Sequence, residues 1–138
     1  MAIVYTFFDY IDESGANIIK CWLNGDGKLA KAHFTNLIPQ LEHSTPPHFN
    51  DTVWRIPHYK PLENKKGQKW EGFAELRKLG KIQYRIIIQI QDHKVFLVAC
   101  GVHKGQKFDI DVPPKTARLR VAQMIANPAK YRREHEFD

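Results

Sequence analysis

Between positions 75 and 107 the chain carries the side-chain types that handle a phosphodiester: Glu75, Arg77, Arg85, His103, Lys104 and Lys107. An arginine grips a phosphate through two parallel N–H···O bonds and keeps its charge at neutral pH. A histidine takes up and releases a proton in the same pH range. Lysines add positive charge, and a carboxylate either accepts a proton or orients a neighbouring cation. Glu75 and Arg77 are two apart, so on a strand they share one face. His103, Lys104 and Lys107 fall within five residues, where an apolar run ends. Blander roles stand beside these. Arg85 suits a cross-strand ion pair with Glu71 or Glu75, Glu75–Arg77 a surface pair, and His103 an ordinary surface histidine.

A second group, Arg55, His58, Tyr59 and Lys60 after Trp54, interleaves aromatic and basic side chains. That mixture can stack bases and bind their phosphates; equally, Trp54 can anchor a long loop. His33, His43, His48, His93 and His135 show no metal-ligand spacing, so no metal site is expected. Cys21 and Cys100 are isolated and read as two buried, reduced thiols of a cytosolic protein.

The elements that must position these groups follow from patterning. At 138 residues, 43% hydrophobic and 26% charged, one globular domain is expected. No apolar run approaches a membrane span, and the first residues lack the basic and small-residue features of a signal peptide, which points to the cytoplasm. The net charge of +6 is uneven. Residues 60–107 hold eleven Lys or Arg against four Asp or Glu, a surplus that accounts for the whole excess. Such a field suits nucleic acid, an anionic surface or an acidic partner.

A first strand is expected over 3–11. Helices follow at 16–23 and 27–38, the second with Ala30, Phe34, Leu37 and Ile38 on one face and Pro39 ending or kinking it. The proline-rich segment 43–69 reads as a surface excursion with an extended piece at 53–56 and a mobile tip at 64–68. Strands at 71–79, 83–91 and 94–102, joined by short turns, make an antiparallel meander. In the middle strand Ile86, Ile88 and Ile90 point one way, and Arg85, Ile87, Gln89 and Gln91 the other. Pro113–Pro114 starts a helix over 115–126 with Ala117, Val121, Met124 and Ile125 buried. The domain is taken as 1–127, followed by a charged, poorly ordered tail at 128–138. The class is α+β: a small, largely antiparallel sheet with the N-terminal helices packed on one face, and a C-terminal helix.

With its elements in this order the chain resembles the RelE/ParE toxin superfamily, in its phage-derived, HigB-like branch. The resemblance is carried by ELR at 75–77, YRIII at 84–88, GVHKGQK at 101–107 before a proline-initiated helix, and DESGANIIKCWL at 12–23. In that branch the third strand ends in a segment of the type K-K-T-x-K-T-P. Here it reads His103-Lys104-Gly105-Gln106-Lys107, and the proline arrives only at Pro113.

The resemblance implies a RelE-like fold and the toxin of a type II toxin–antitoxin pair. Such a toxin is an endoribonuclease that cleaves messenger RNA at the ribosome and is silenced by a cognate antitoxin, here expected to be of helix-turn-helix type. It implies metal-independent catalysis without a cofactor, by attack of the substrate's own 2′-hydroxyl. Arg85 aligns with the arginine that opens the family's central strand. His103 is the candidate acid or base, Lys104 and Lys107 suit charge stabilisation, Arg77 a phosphate ligand, and Glu75 a proton acceptor or orienting partner. Two other readings compete: a ParE-like gyrase inhibitor without nuclease activity, and a degenerate phage-derived protein that binds nucleic acid without cleaving it.

Overall fold

The computed structural model describes residues 4–43, 58–62, 70–104, 107–110 and 112–136. Trp54, Arg55 and the segments 53–56 and 64–68 lie outside them.

Strand β1 (Thr6–Tyr10) leads into helix α1 (Ile18–Leu23). Asn17 caps α1, its side chain accepting from Lys20 N at 2.9 Å, and Asn24 closes it. A 3-10 turn (Lys28–Ala30) runs into α2 (Lys31–Glu42). The helix does not stop at Pro39. Phe34, Leu37, Ile38 and Leu41 form a continuous buried stripe. Complete burial of Ile38 and Leu41, each about 2 kcal/mol, offsets the lost backbone bond. The Glu42 carbonyl then accepts from Val4 N and Tyr5 N, so the helix end is satisfied by the strand beside it.

The meander forms as expected: β3 (Phe73–Lys78), β4 (Ile82–Gln91) and β5 (Lys94–Lys104), all antiparallel. Asp92, with φ of 54°, makes the tight β4–β5 turn. Strand β2 (Tyr59–Pro61) pairs with β3, and β5 runs parallel to β1. The strand order is β2-β3-β4-β5-β1-β7, with β7 at Arg132–Glu134, and β6 (Lys107–Ile110) folds back on the end of β5. Helix α3 (Pro114–Ala126) starts after β6.

Within the segment read as a poorly ordered tail, residues 128–134 form regular elements. Pro128–Tyr131 is a short helix, α4, and Arg132–Glu134 is β7, antiparallel to β1. His135 fastens this end. Its Nδ1 lies 2.7 Å from Asp9 Oδ1 with both side chains buried, and its backbone N–H donates to Phe7 O at 2.8 Å. Asn17 donates to the other Asp9 oxygen at 2.9 Å.

Both faces of the sheet are covered. Ile86 and Ile88 pack with α1 and α2, whereas Ile87 packs with Phe73, Val98 and Ala99 beneath Ala117, Val121 and Met124 of α3. The C-terminal helix thus lies opposite the N-terminal pair, because a strand reading Ile86-Ile87-Ile88 offers apolar surface both ways. Ile125 lies off the α3 stripe and is exposed, and Cys21 is exposed as well, correcting the expectation for these two; Cys100 is buried as expected. Neither cysteine is in a disulfide. Among the described residues no helix is long and apolar enough to cross a membrane.

Candidate functional site

The site occupies the end of the α3-facing side of the sheet where the apolar cover stops. On β4 the alternation that buries Ile87 turns Arg85 and Gln83 to the same face. On β3, Arg77 stands directly across from Arg85 and Glu75 across from Ile87. On β5, Gly101 is opposite Arg85 and contributes no side chain there, and His103 is opposite Gln83.

His103 reaches this face through a β-bulge. The β4–β5 register shifts between Ile87 and Ile88, so Ile88 pairs with Leu97 and Ile87 with Ala99, leaving Val98 as the extra residue. Val95 and Leu97 face α1 and α2; beyond the bulge that face is taken by Cys100, and Ala99 turns towards α3. Strict alternation from Leu97 would send His103 to the wrong side. A bulge leaves ladder groups unmatched, and here Arg120 of α3 donates to Val98 O at 2.7 Å while stacking over the Tyr10 ring.

Arg85 is the hub. Its Nη1 donates to Glu75 Oε2 at 3.2 Å, and its Nη2 donates to Gln83 Oε1 at 2.7 Å and lies 3.1 Å from His103 Nδ1. A guanidinium only donates, so His103 Nδ1 accepts and the ring proton resides on Nε2. Arg77 approaches the other Glu75 oxygen at 3.8 Å. Glu75 is 2% exposed, against 12% for Arg77 and 15% for Arg85. The carboxylate therefore lies beneath two guanidinium groups that are nearer to solvent. Burial pushes the Glu75 pKa above the usual carboxylate value, and Arg85, Arg77 and Lys60 pull against that rise.

Other candidates divide. Lys60 is opposite Glu75 in the β2–β3 register and adds a third cation around it. Tyr59 packs against the core on the α1/α2 side, away from Arg85, and burial raises its pKa. His58 accepts from Arg77 N through its backbone carbonyl at 2.9 Å, and its ring lies beside His33. Lys104 and Lys107 are register partners in the β5–β6 pair. Two contributors escaped sequence reasoning. Gln83 was legible in principle, two positions before Arg85 and so on its face. His33 comes from a distant helix with no spacing to signal it. Among the described residues no three His, Cys, Asp or Glu side chains form a metal-holding group. No protein-family model, curated protein or solved structure matches the chain.

Proposed function

We propose that this protein is a metal-independent endoribonuclease of the RelE/ParE toxin type, acting on messenger RNA at the ribosome and held inactive by a cognate antitoxin. The observation that carries the reading is the Arg85 hub: one guanidinium on the central strand bonded on one side to a buried carboxylate and on the other to an imidazole nitrogen.

The exposure gradient supports a division of roles. Glu75, beneath the arginines, anchors them and does not touch substrate. Arg85 Nη1 stays on Glu75, and Nη2 turns from Gln83 and His103 to a non-bridging phosphate oxygen. Arg77 adds a second cation on the same face. Together they stabilise charge that grows as phosphorus becomes five-coordinate, the largest contribution open to a site of this kind.

The same exchange frees the Nδ1 lone pair of His103. That nitrogen takes the 2′-hydroxyl proton as O2′ bonds to phosphorus. The P–O5′ bond breaks, O5′ takes a proton from water, and the imidazolium returns its proton to solvent. The products are a 2′,3′-cyclic phosphate and a 5′-hydroxyl.

The test is induced expression, with mapping of the ends of cellular messenger RNA and growth measured for wild type, Arg85→Ala and His103→Ala. The expected result is translation arrest with cleaved messages carrying 5′-hydroxyl ends, lost in both variants. Arrest that survives both substitutions overturns the site. DNA damage with intact messages would move the assignment to gyrase inhibition.

A further inference from the structure

His33 stands on α2, on the opposite side of the sheet from the Arg85 hub, yet its ring reaches the edge of β3. Its Nε2 lies 3.1 Å from the carbonyl oxygen of Arg77. A carbonyl only accepts, so His33 is the donor. The β2–β3 ladder reaches Arg77 through the bond from its N–H to His58 O, and an imidazole from another element serves the carbonyl of the same residue. Phe34 holds the His33 ring edge-on at 5.3 Å between centroids, and the His58 ring lies on its other flank at 5.8 Å.

We infer that His33 is a positioning residue for Arg77: it fixes the peptide from which the Arg77 guanidinium reaches Glu75 and the phosphate site. The inference rests on the ribonuclease reading and deepens it. Arg77 lies near the end of β3, two positions before Leu79, where the strand has stopped. A strand end pivots about its last fixed peptide, and a shift of about an ångström at a positioned cation is enough to weaken catalysis greatly. His33 holds the peptide that follows the Arg77 Cα through the Arg77 carbonyl, and the His58 carbonyl holds the preceding one through the Arg77 N–H, so the Arg77 side chain starts from a fixed point. Burial lowers the His33 pKa; the hydrogen bond to the Arg77 carbonyl pulls the other way, while His58 and Lys78 add to the lowering, and the net direction favours the neutral Nε2–H donor.

Two substitutions separate hydrogen bonding from packing. His33→Phe keeps an aromatic ring against Phe34 and removes the donor; His33→Gln keeps an N–H donor and removes the ring. Cleavage of an RNA oligonucleotide is expected to fall about tenfold in kcat/KM for His33→Phe and about twofold for His33→Gln. In an Arg77→Ala background neither change should have further effect, because the residue acted upon is gone. Full additivity with Arg77→Ala, or greater loss in His33→Gln than in His33→Phe, overturns the inference. If wild-type protein cleaves nothing, the ribonuclease reading fails by itself. The same four-way comparison is then read from low-salt binding of a 2′-deoxy oligonucleotide, where additivity again refutes the role of His33.

Discussion

Replacing Arg85 by alanine tests the fold and the site together. The change removes hydrogen bonds to Glu75 at 3.2 Å, Gln83 at 2.7 Å and His103 at 3.1 Å. Glu75, 2% exposed, keeps Arg77 at 3.8 Å as an ion-pair partner. Deleting one member of a buried pair costs about 3–5 kcal/mol. Arg77 and Lys60 remain, and Arg85 is itself partly solvated, so the lower end applies, about 3 kcal/mol. For a chain of this size that lowers the melting midpoint by about 10 °C. The deficit has a pH signature. Arg85 holds the Glu75 pKa down, so without it Glu75 takes up a proton at higher pH. Below the range where Glu75 titrates, the Arg85–Glu75 attraction is absent from wild type as well, and the two proteins converge. Thermal melts between about pH 5 and pH 8 should therefore show a deficit that shrinks on acidification. It should also shrink in a Glu75→Gln background. A deficit equal at all pH values and in both backgrounds refutes the coupling. Cleavage should fall about 100- to 1,000-fold, as for a lost transition-state donor; a folded Arg85→Ala protein within threefold of wild type refutes the clamp.

Three further outcomes are expected. Because the folded-state pKa of Glu75 is raised, the protein binds this proton more tightly when folded, and stability falls as pH rises from the ordinary Glu value through the raised one. Glu75→Gln should flatten that slope in pH-dependent denaturant titrations, and an unchanged slope would assign it elsewhere. His135→Ala strips the buried Asp9 of a partner at 2.7 Å. It should cost about 3 kcal/mol and expose the β7 end to limited proteolysis, whereas a cleavage pattern like that of wild type would mean that β1 pairing alone holds it. Arg120→Ala leaves the Val98 carbonyl at the bulge without its 2.7 Å donor. The loss should be about 2 kcal/mol, with RNA cleavage reduced although Arg120 touches no substrate; full activity would show that the bulge keeps its shape without the cap.

Much of this molecule could be read from local pattern. The stripe Phe34-Leu37-Ile38-Leu41 and the run Tyr84–Ile90 announce their elements because burial at helical or strand period is a local property of the chain. The pairing of Glu75 with Arg77 on one face followed from a spacing of two. Pro39 did not end its helix because the cost of a helical proline is local, whereas the burial of Ile38 and Leu41 that outweighs it is tertiary. The last residues misled for the same reason. Arg132–Glu134 look like a solvated tail until Asp9, well over a hundred positions away, supplies a buried partner for His135.

The α+β class, the meander, the excess of positive charge and the side chains that could hold a phosphate are legible along the chain. Each of those depends on residue type and near-neighbour spacing. Which of them meet is a matter of packing. The extra residue at Val98 re-phases β5 and brings His103 to Arg85, and the depth of Glu75 beneath two arginines makes it an anchor. His33 joins from a helix on the far side of the sheet. A bulge, a burial depth and a contact between distant elements are properties of packing, which no spacing along the chain encodes.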